Sequence, residues 1–173
     1  MDGVTEQTRA WNLLRQEPAC WVGLGNPDWG DDGLGVALAE RLAARGVEPV
    51  VVAGTNPERW TGRIARSGAR QAVFLDAVEF GGEPGAVALW EGAELRSRFP
   101  QVSTHKLSLG ALATWLEQAA GMRTWVLGVQ PAALRAGAGL SPAAARTVEL
   151  LADWIAPAAG KAAAETAVEG GGL

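Results

Sequence analysis

The sequence predicts an α/β fold with a mainly parallel sheet of about five strands and helices on both faces. Apolar stretches of strand length alternate with amphipathic helical patterns along the chain. This alternation is typical of βαβ units, in which each helix returns the chain to the same edge of the sheet. The 173 residues suit one domain, because a chain of this size buries about 70% of its unfolded surface.

Five segments have the length and apolar character of strands, and the fourth is short and hairpin-like. They are 20–24, 47–53, 71–77, 86–90 and 124–129. Four helices are predicted from apolar spacing and end residues: 33–45, a helix opening at 56, 103–119 and 141–156. Gly46 provides a left-handed C-cap for the first helix, and Ser141-Pro142 provides the cap and first-turn proline of the last.

The domain prediction divides the chain into three parts. Residues 1–18 form an N-terminal extension, 19–157 form a single α/β domain, and 158–173 form a disordered Ala- and Gly-rich tail. The extension lacks the basic and hydrophobic regions of a signal peptide, and no segment has the apolar length needed to cross a bilayer. We therefore expect a cytoplasmic protein without a membrane partner.

Charge and cysteine content exclude several classes of function. The net charge is -4 with no block of Lys or Arg, so we expect no nucleic-acid partner. A single cysteine cannot form an internal disulfide or a zinc site built from clustered Cys, and it agrees with a reducing compartment.

An acidic glycine-containing loop follows the first predicted strand. Its glycines at 23 and 25 suggest a dinucleotide-binding motif, which requires a third glycine. Asp28 stands at that third position. The carboxylates of Asp28, Asp31 and Asp32 would also repel the phosphates of a dinucleotide. An EF-hand is excluded because Ala39 stands where the bidentate Glu is required. For Asp31 we favour a helix cap, which contributes about 0.3 to 1 kcal/mol. For Asp32 the loop alone leaves capping and cation binding equally open.

Two further residues could join Asp32. Asp76 ends an apolar strand, so in a parallel sheet both carboxylates lie at the edge where α/β proteins bind ligands. His105, the only histidine, stands near a predicted helix start, where the helix dipole keeps the imidazole neutral. Two carboxylates and an imidazole suit Ni²⁺, Zn²⁺ or a similar ion, although a lone histidine is more often a hydrogen-bonding residue.

Nucleophilic catalysis has weaker support. Ser103 and Ser108 flank the histidine, but neither lies in a complete G-x-S-x-G motif, and Cys20 starts its strand at the far end from His105. Trp29, beside the acidic loop, is either a partly buried staple or an exposed contact for a partner.

These residues, in this order, resemble the hydrogenase maturation endopeptidases, which trim the carboxyl terminus of nickel-iron hydrogenase large subunits. The resemblance spans about residues 20 to 155. Each matching segment alone is a weak signal, but four of them in sequence at domain-scale spacing are specific for the family. The matching segments are 22–26, 31–35, 74–77, 103–107 and 127–131.

The resemblance implies a three-layer α/β sandwich, phosphorylase/hydrolase-like, in which Asp32, Asp76 and His105 contact nickel and carry catalysis. It implies an endopeptidase that removes the C-terminal extension of the large-subunit precursor after nickel insertion. The Ni²⁺ belongs to the enzyme or arrives with the substrate, and Zn²⁺ or Cd²⁺ would replace it.

One departure from the family pattern keeps two alternatives open. Ala53-Gly54 stands where the family usually has an acid followed by two glycines, so a candidate general base is missing. The alternatives are a non-catalytic nickel- or precursor-binding chaperone and a metal-dependent hydrolase of related fold with a small substrate.

Overall fold

The computed structural model describes residues 2–94 and 109–169, with side chains described for 6–94 and 109–161. Its centre is one five-stranded sheet in the order β2-β1-β3-β5-β4. All neighbours pair in parallel except β4, which is antiparallel to β5. The strands are β1 (Ala19–Leu24), β2 (Val50–Gly54), β3 (Gln71–Ala77), β4 (Val87–Glu91) and β5 (Arg123–Val129).

Helices cover both faces of this sheet, so the described part of the chain has three layers. They are α1 (Asp2–Leu14), α2 (Leu34–Ala44), α3 (Thr61–Ala65), α4 (Leu109–Ala120) and α5 (Pro142–Glu169), with 3₁₀ turns at Gly30–Gly33 and Pro57–Trp60. None of the helices in the described ranges has the length and apolar character needed to span a bilayer.

Successive side chains of β3 pack into two different hydrophobic cores, one on each face of the sheet. Val73 and Leu75 pack into the cluster that contains the buried leucines of α2 and the apolar face of α5. Phe74, between them, packs into the other cluster, with residues of α3 and α4. Successive side chains of a strand point to opposite faces, so one strand supplies both cores.

The predicted α/β fold is confirmed, and four of the five strands start and end within one residue of the prediction. The exception is β2, which begins at Val50 rather than at residue 47. It starts directly after Pro49, which has no backbone N–H to donate to a sheet.

The C-terminal region differs from the prediction. We expected the last helix to end near residue 156 and the chain to be disordered from 158, but α5 continues through Glu169 with Pro157 inside it. Several alanines follow Pro157 in the sequence. Alanine has the highest intrinsic helix propensity, and this favours continuation of the helix.

The N-terminal extension is a helix that packs against the domain. Trp11 meets Trp154 of α5 edge to face, with ring centroids 4.9 Å apart. The Gln7 amide donates to the Leu89 carbonyl at 2.9 Å and accepts from the Leu89 N–H at 3.0 Å. Because β4 is one of the two outer strands, Gln7 occupies backbone groups that would otherwise be open at this edge of the sheet.

Candidate active site

The carboxyl ends of β1, β3 and β5 lie side by side at one edge of the sheet. Asp32 lies in the 3₁₀ turn that follows β1, and Asp76 is the last residue but one of β3. The structure therefore brings these two predicted site residues to the same edge, which is where open α/β sheets bind ligands.

Glycines allow the start of α2 to approach the strands closely. A Cβ on Gly35 would overlap the carbonyl oxygen of Leu75, the neighbour of Asp76 in β3. Gly25 has a φ of 110°, and a Cβ there would overlap the backbone carbonyl of Asp32. Gly25, one of the two glycines that suggested a dinucleotide loop, thus serves close packing of the acidic turn against the end of β1.

Both carboxylates are nearly inaccessible, with exposures of 8% for Asp32 and 3% for Asp76. Asp32 Oδ2 accepts a 2.8 Å hydrogen bond from the Asn26 N–H, and Asp76 Oδ1 accepts a 2.9 Å bond from the Ala77 N–H. Burial and the negative charge of Asp32 raise the pKa of Asp76 to about 8, and the Ala77 hydrogen bond opposes this. Two acidic groups in mutual repulsion favour a proton or a cation between them.

The donor set of this pair fits a divalent ion. Carboxylate oxygens are suitable ligands for such ions, and an added imidazole would favour nickel or zinc. Within the described ranges, no group of three or more His, Cys, Asp or Glu side chains could hold a metal. His105, Ser103 and Ser108 lie outside the described residues, so the predicted role of the histidine stays a prediction.

Asp31 has a different role from the helix cap that we expected. Its side chain makes no cap hydrogen bond to its own turn or to α2, and it reaches the loop after β5. It accepts hydrogen bonds from the Ala132 N–H (2.8 Å), the Ser141 N–H (2.7 Å) and the Ser141 hydroxyl (2.8 Å). Burial opposes its ionisation, but these bonds outweigh it and lower the pKa of Asp31. Asp31 therefore joins two loops.

Gln130 is a site-supporting residue that the sequence reasoning missed. Its buried side chain accepts from the N–H groups of Phe80 (2.9 Å) and Gly82 (3.1 Å) and donates to the Glu79 carboxylate. It fixes the loop that follows Asp76. Gln130 lies in the segment 127–131, one of those that carry the resemblance, and this is the sequence signal that points to it.

The structure also shows how far three other residues singled out in the sequence are buried: Cys20, Trp29 and Ala53. Cys20 is buried in β1 opposite Ala72, toward the amino end of the sheet, and burial raises its thiol pKa to about 11 despite a hydrogen bond with Ser67. A cysteine nucleophile is thus disfavoured. Trp29 is 50% exposed, which agrees with the second of its two expected roles, an exposed apolar contact. Ala53 is buried in β2, one residue before Gly54, whose carbonyl accepts from the Gly25 N–H.

The chain is similar to proteins of one family. Residues 35–158, more than two thirds of the chain, match the family model described as hydrogenase maturation protease. The hydrogenase 3 maturation protease of Escherichia coli (strain K12) is 31% identical over 110 residues, which cover 62% of this chain and 69% of that protein.

Solved structures agree with this similarity. The crystal structure of the [NiFe] hydrogenase maturation protease HycI from Thermococcus kodakarensis KOD1 gives a TM-score of 0.77 at 31% identity, covering 86% of this chain and 99% of that one. HybD from Thermococcus kodakarensis gives a TM-score of 0.70 at 21% identity, covering 82% and 99%, and shows the fold alone.

Proposed function

Because the chain belongs to the hydrogenase maturation protease family, and is therefore a peptidase, we propose that it cleaves the precursor of a nickel-iron hydrogenase large subunit. We further propose that this cleavage removes the C-terminal extension of the precursor after nickel insertion and depends on Ni²⁺. The observation that carries the proposal is the buried pair of Asp32 and Asp76 at the ligand-binding edge of the sheet. The cytoplasmic location expected from the sequence stays a prediction.

In this proposal the two carboxylates hold the metal, with His105 as a third ligand. A bound divalent ion would polarise the scissile carbonyl or acidify a water, and either effect supplies several kcal/mol. Asp32 is oriented by the Asn26 N–H and Asp76 by the Ala77 N–H, which leaves carboxylate oxygens for the ion and for a proton. One of the two also serves as the base that takes the proton of the attacking water.

The test is single-turnover cleavage of nickel-loaded precursor by the wild type and by Asp32→Asn and Asp76→Asn. Each variant keeps the shape of the side chain but removes its negative charge, and we expect cleavage to slow by about 10²- to 10⁴-fold. Asp153→Asn is the control, because Asp153 is an exposed α5 residue paired with Arg45. Full cleavage by Asp76→Asn would refute the proposed role of the pair.

A metal- or precursor-binding chaperone is the second candidate, and the buried Ala53 at the position of a family acid favours it. The chaperone would bind the precursor and leave it uncut under the same conditions. The small-substrate hydrolase has less support. The proteins that this chain resembles are proteases, which favours a polypeptide substrate over a small molecule.

A further inference from the structure

Two loops beside the carboxylate pair are joined into one surface, which we call the docking rim and define as residues 27–30 and 132–138. Backbone hydrogen bonds connect the two loops at three places. They run from the Gly30 N–H to the Ala138 carbonyl (3.0 Å), from the Asp31 N–H to the Ala133 carbonyl (3.1 Å) and from the Gly137 N–H to the Asp28 carbonyl (2.7 Å). Such cross-links make the rim one unit.

The buried side chain of Asp31 adds further hydrogen bonds between the two loops. Its carboxylate is fully buried and accepts bonds from Ala132 and from both polar groups of Ser141 at the start of α5. Gly30 has a φ of 60°, and a Cβ there would lie 3.0 Å from the Ala133 carbonyl oxygen. Charge-assisted hydrogen bonds of this kind are about twice as strong as neutral ones, so the rim has a fixed backbone.

The docking rim exposes two large apolar side chains. Trp29 is 50% exposed and Leu134 is 42% exposed, and each is the sequence neighbour of a residue in the junction, Gly30 or Ala133. Apolar side chains on a braced backbone lose little conformational freedom on binding, and aromatic anchors of this type dominate protein interfaces.

We propose that the docking rim binds the precursor polypeptide near the bond to be cleaved, with Trp29 and Leu134 as contacts and Asp31 as a positioning residue. This inference rests on the proposed function. The rim continues directly into the carboxylate pair, because Asp32 follows Asp31 in the same four-residue turn. The outer residues of both loops are exposed. That arrangement suits a segment of a folded protein better than an enclosed small molecule.

The first test measures kcat and KM for precursor cleavage by Trp29→Ala and Leu134→Ala. We expect KM to rise about tenfold for each variant while kcat stays within about twofold, because the lost contacts lie outside the reacting groups. Trp115→Ala and Leu150→Ala are matched controls, since these side chains are 45% and 63% exposed on the helices α4 and α5. An equal rise of KM in the controls, or none in the rim variants, would overturn the proposal.

The second test concerns Asp31. We expect Asp31→Asn to raise KM, and the double variant with Trp29→Ala to raise it no further than the larger single effect, because both act through the rim. If Asp31 only stabilised the fold, Asp31→Asn would lower the melting temperature, and its effect on KM would add to that of Trp29→Ala. Ser141→Ala removes one donor to the same carboxylate and should raise KM about two- to threefold, so it serves if Asp31→Asn does not fold.

A binding measurement separates the two proposals. The cleavage-blocked Asp76→Asn protein should bind the precursor, and adding Trp29→Ala should weaken this binding about tenfold. If the wild type does not cleave but binding still depends on Trp29, the proposed function fails and the docking rim is supported. If sedimentation shows a dimer that Trp29→Ala dissociates, a second copy of the chain occupies the rim and the docking proposal is overturned.

Discussion

The two ends of β3 each bury a polar side chain, and they treat it in opposite ways. Gln71, at the amino end, donates to the carbonyls of Leu14 and Glu17 at 2.7 Å and accepts from the Trp125 indole N–H at 2.8 Å. Asp76, near the carboxyl end, accepts one hydrogen bond among the described residues, from the Ala77 N–H. A satisfied neutral amide stabilises the fold, whereas a buried acid with few hydrogen bonds and a perturbed pKa is typical of a functional site.

The sharpest way to break this comparison is Asp76→Asn. We expect a loss of cleavage of about 10²- to 10⁴-fold, because the amide cannot replace the carboxylate in catalysis. We expect no loss of stability in the metal-free protein at neutral pH, because Asp76 keeps its proton there and the change exchanges one neutral buried group for another. Single-turnover cleavage and urea unfolding of the same preparation measure both quantities. A variant that is active, or that is inactive only because it unfolds, would show that the carboxyl end is structural as well.

The opposite result is expected for Gln71→Ala. This change leaves the Trp125 indole and two backbone carbonyls without their partner, and should lower the free energy of unfolding by about 2–3 kcal/mol. Cleavage by the remaining folded protein should be unchanged. Urea unfolding against Gln118→Ala, an exposed α4 residue, provides the measurement and its control. A catalytic defect in folded Gln71→Ala would contradict the division between the two ends.

The pH dependence of metal-free protein sharpens the same contrast. The pKa of Asp76 is raised to about 8 in the folded state, against about 3.9 in an unfolded chain. Between these values the unfolded state loses a proton that the folded state keeps, so the stabilising contribution is complete at low pH and is lost as pH rises toward about 8.

Asp76→Asn lacks this titration. The stability of the variant relative to the wild type should therefore increase by up to about 1.4 kcal/mol per pH unit between about pH 5 and pH 8. Urea unfolding of both proteins at several pH values, with a chelator present, measures this difference. Asp31 also titrates, but it is present in both proteins and its contribution cancels in the comparison. A constant difference across that range would contradict the raised pKa.

The smallest expected effect concerns the edge strand. Gln7→Ala removes the two hydrogen bonds to Leu89 and should cost about 0.5–1 kcal/mol, with no change in cleavage, because water can reach the freed groups. Light scattering would also report association through the opened edge of β4. A large loss of activity would mean that α1 contributes to the site.

Much of the fold could be predicted because it follows from local patterns. Apolar runs bounded by turns placed the strands, and the position of Asp76 at the end of such a run placed it at the carboxyl edge. The parallel order then placed Asp32 beside it without any assumption about function. The extension of α5 past Pro157 was missed because alanine propensity and proline disruption compete, and the sequence does not show which dominates.

The role of Asp31 could not be predicted from local sequence. Its partners Ala132 and Ser141 lie about a hundred residues away, on a loop that meets the acidic turn only in the folded chain. The adjacent carboxylates of Asp31 and Asp32 are equivalent in local sequence. In the structure, Asp31 accepts several hydrogen bonds, whereas Asp32 raises the pKa of Asp76 through its charge. Only the tertiary structure separates a structural brace from a candidate ligand.

The central claim is that Asp32 and Asp76 form one metal site, and calorimetric titration of Ni²⁺ tests it most directly. The titration compares the wild type with Asp32→Asn, Asp76→Asn and the control Asp153→Asn in the same buffer. The account predicts one equivalent bound by the wild type and the control, and at least a tenfold weaker affinity in each of the other two, about 1.4 kcal/mol. Unchanged affinity in either variant would contradict it. No binding by the wild type would contradict a metal site formed by this chain alone and would leave the precursor as the carrier of the nickel.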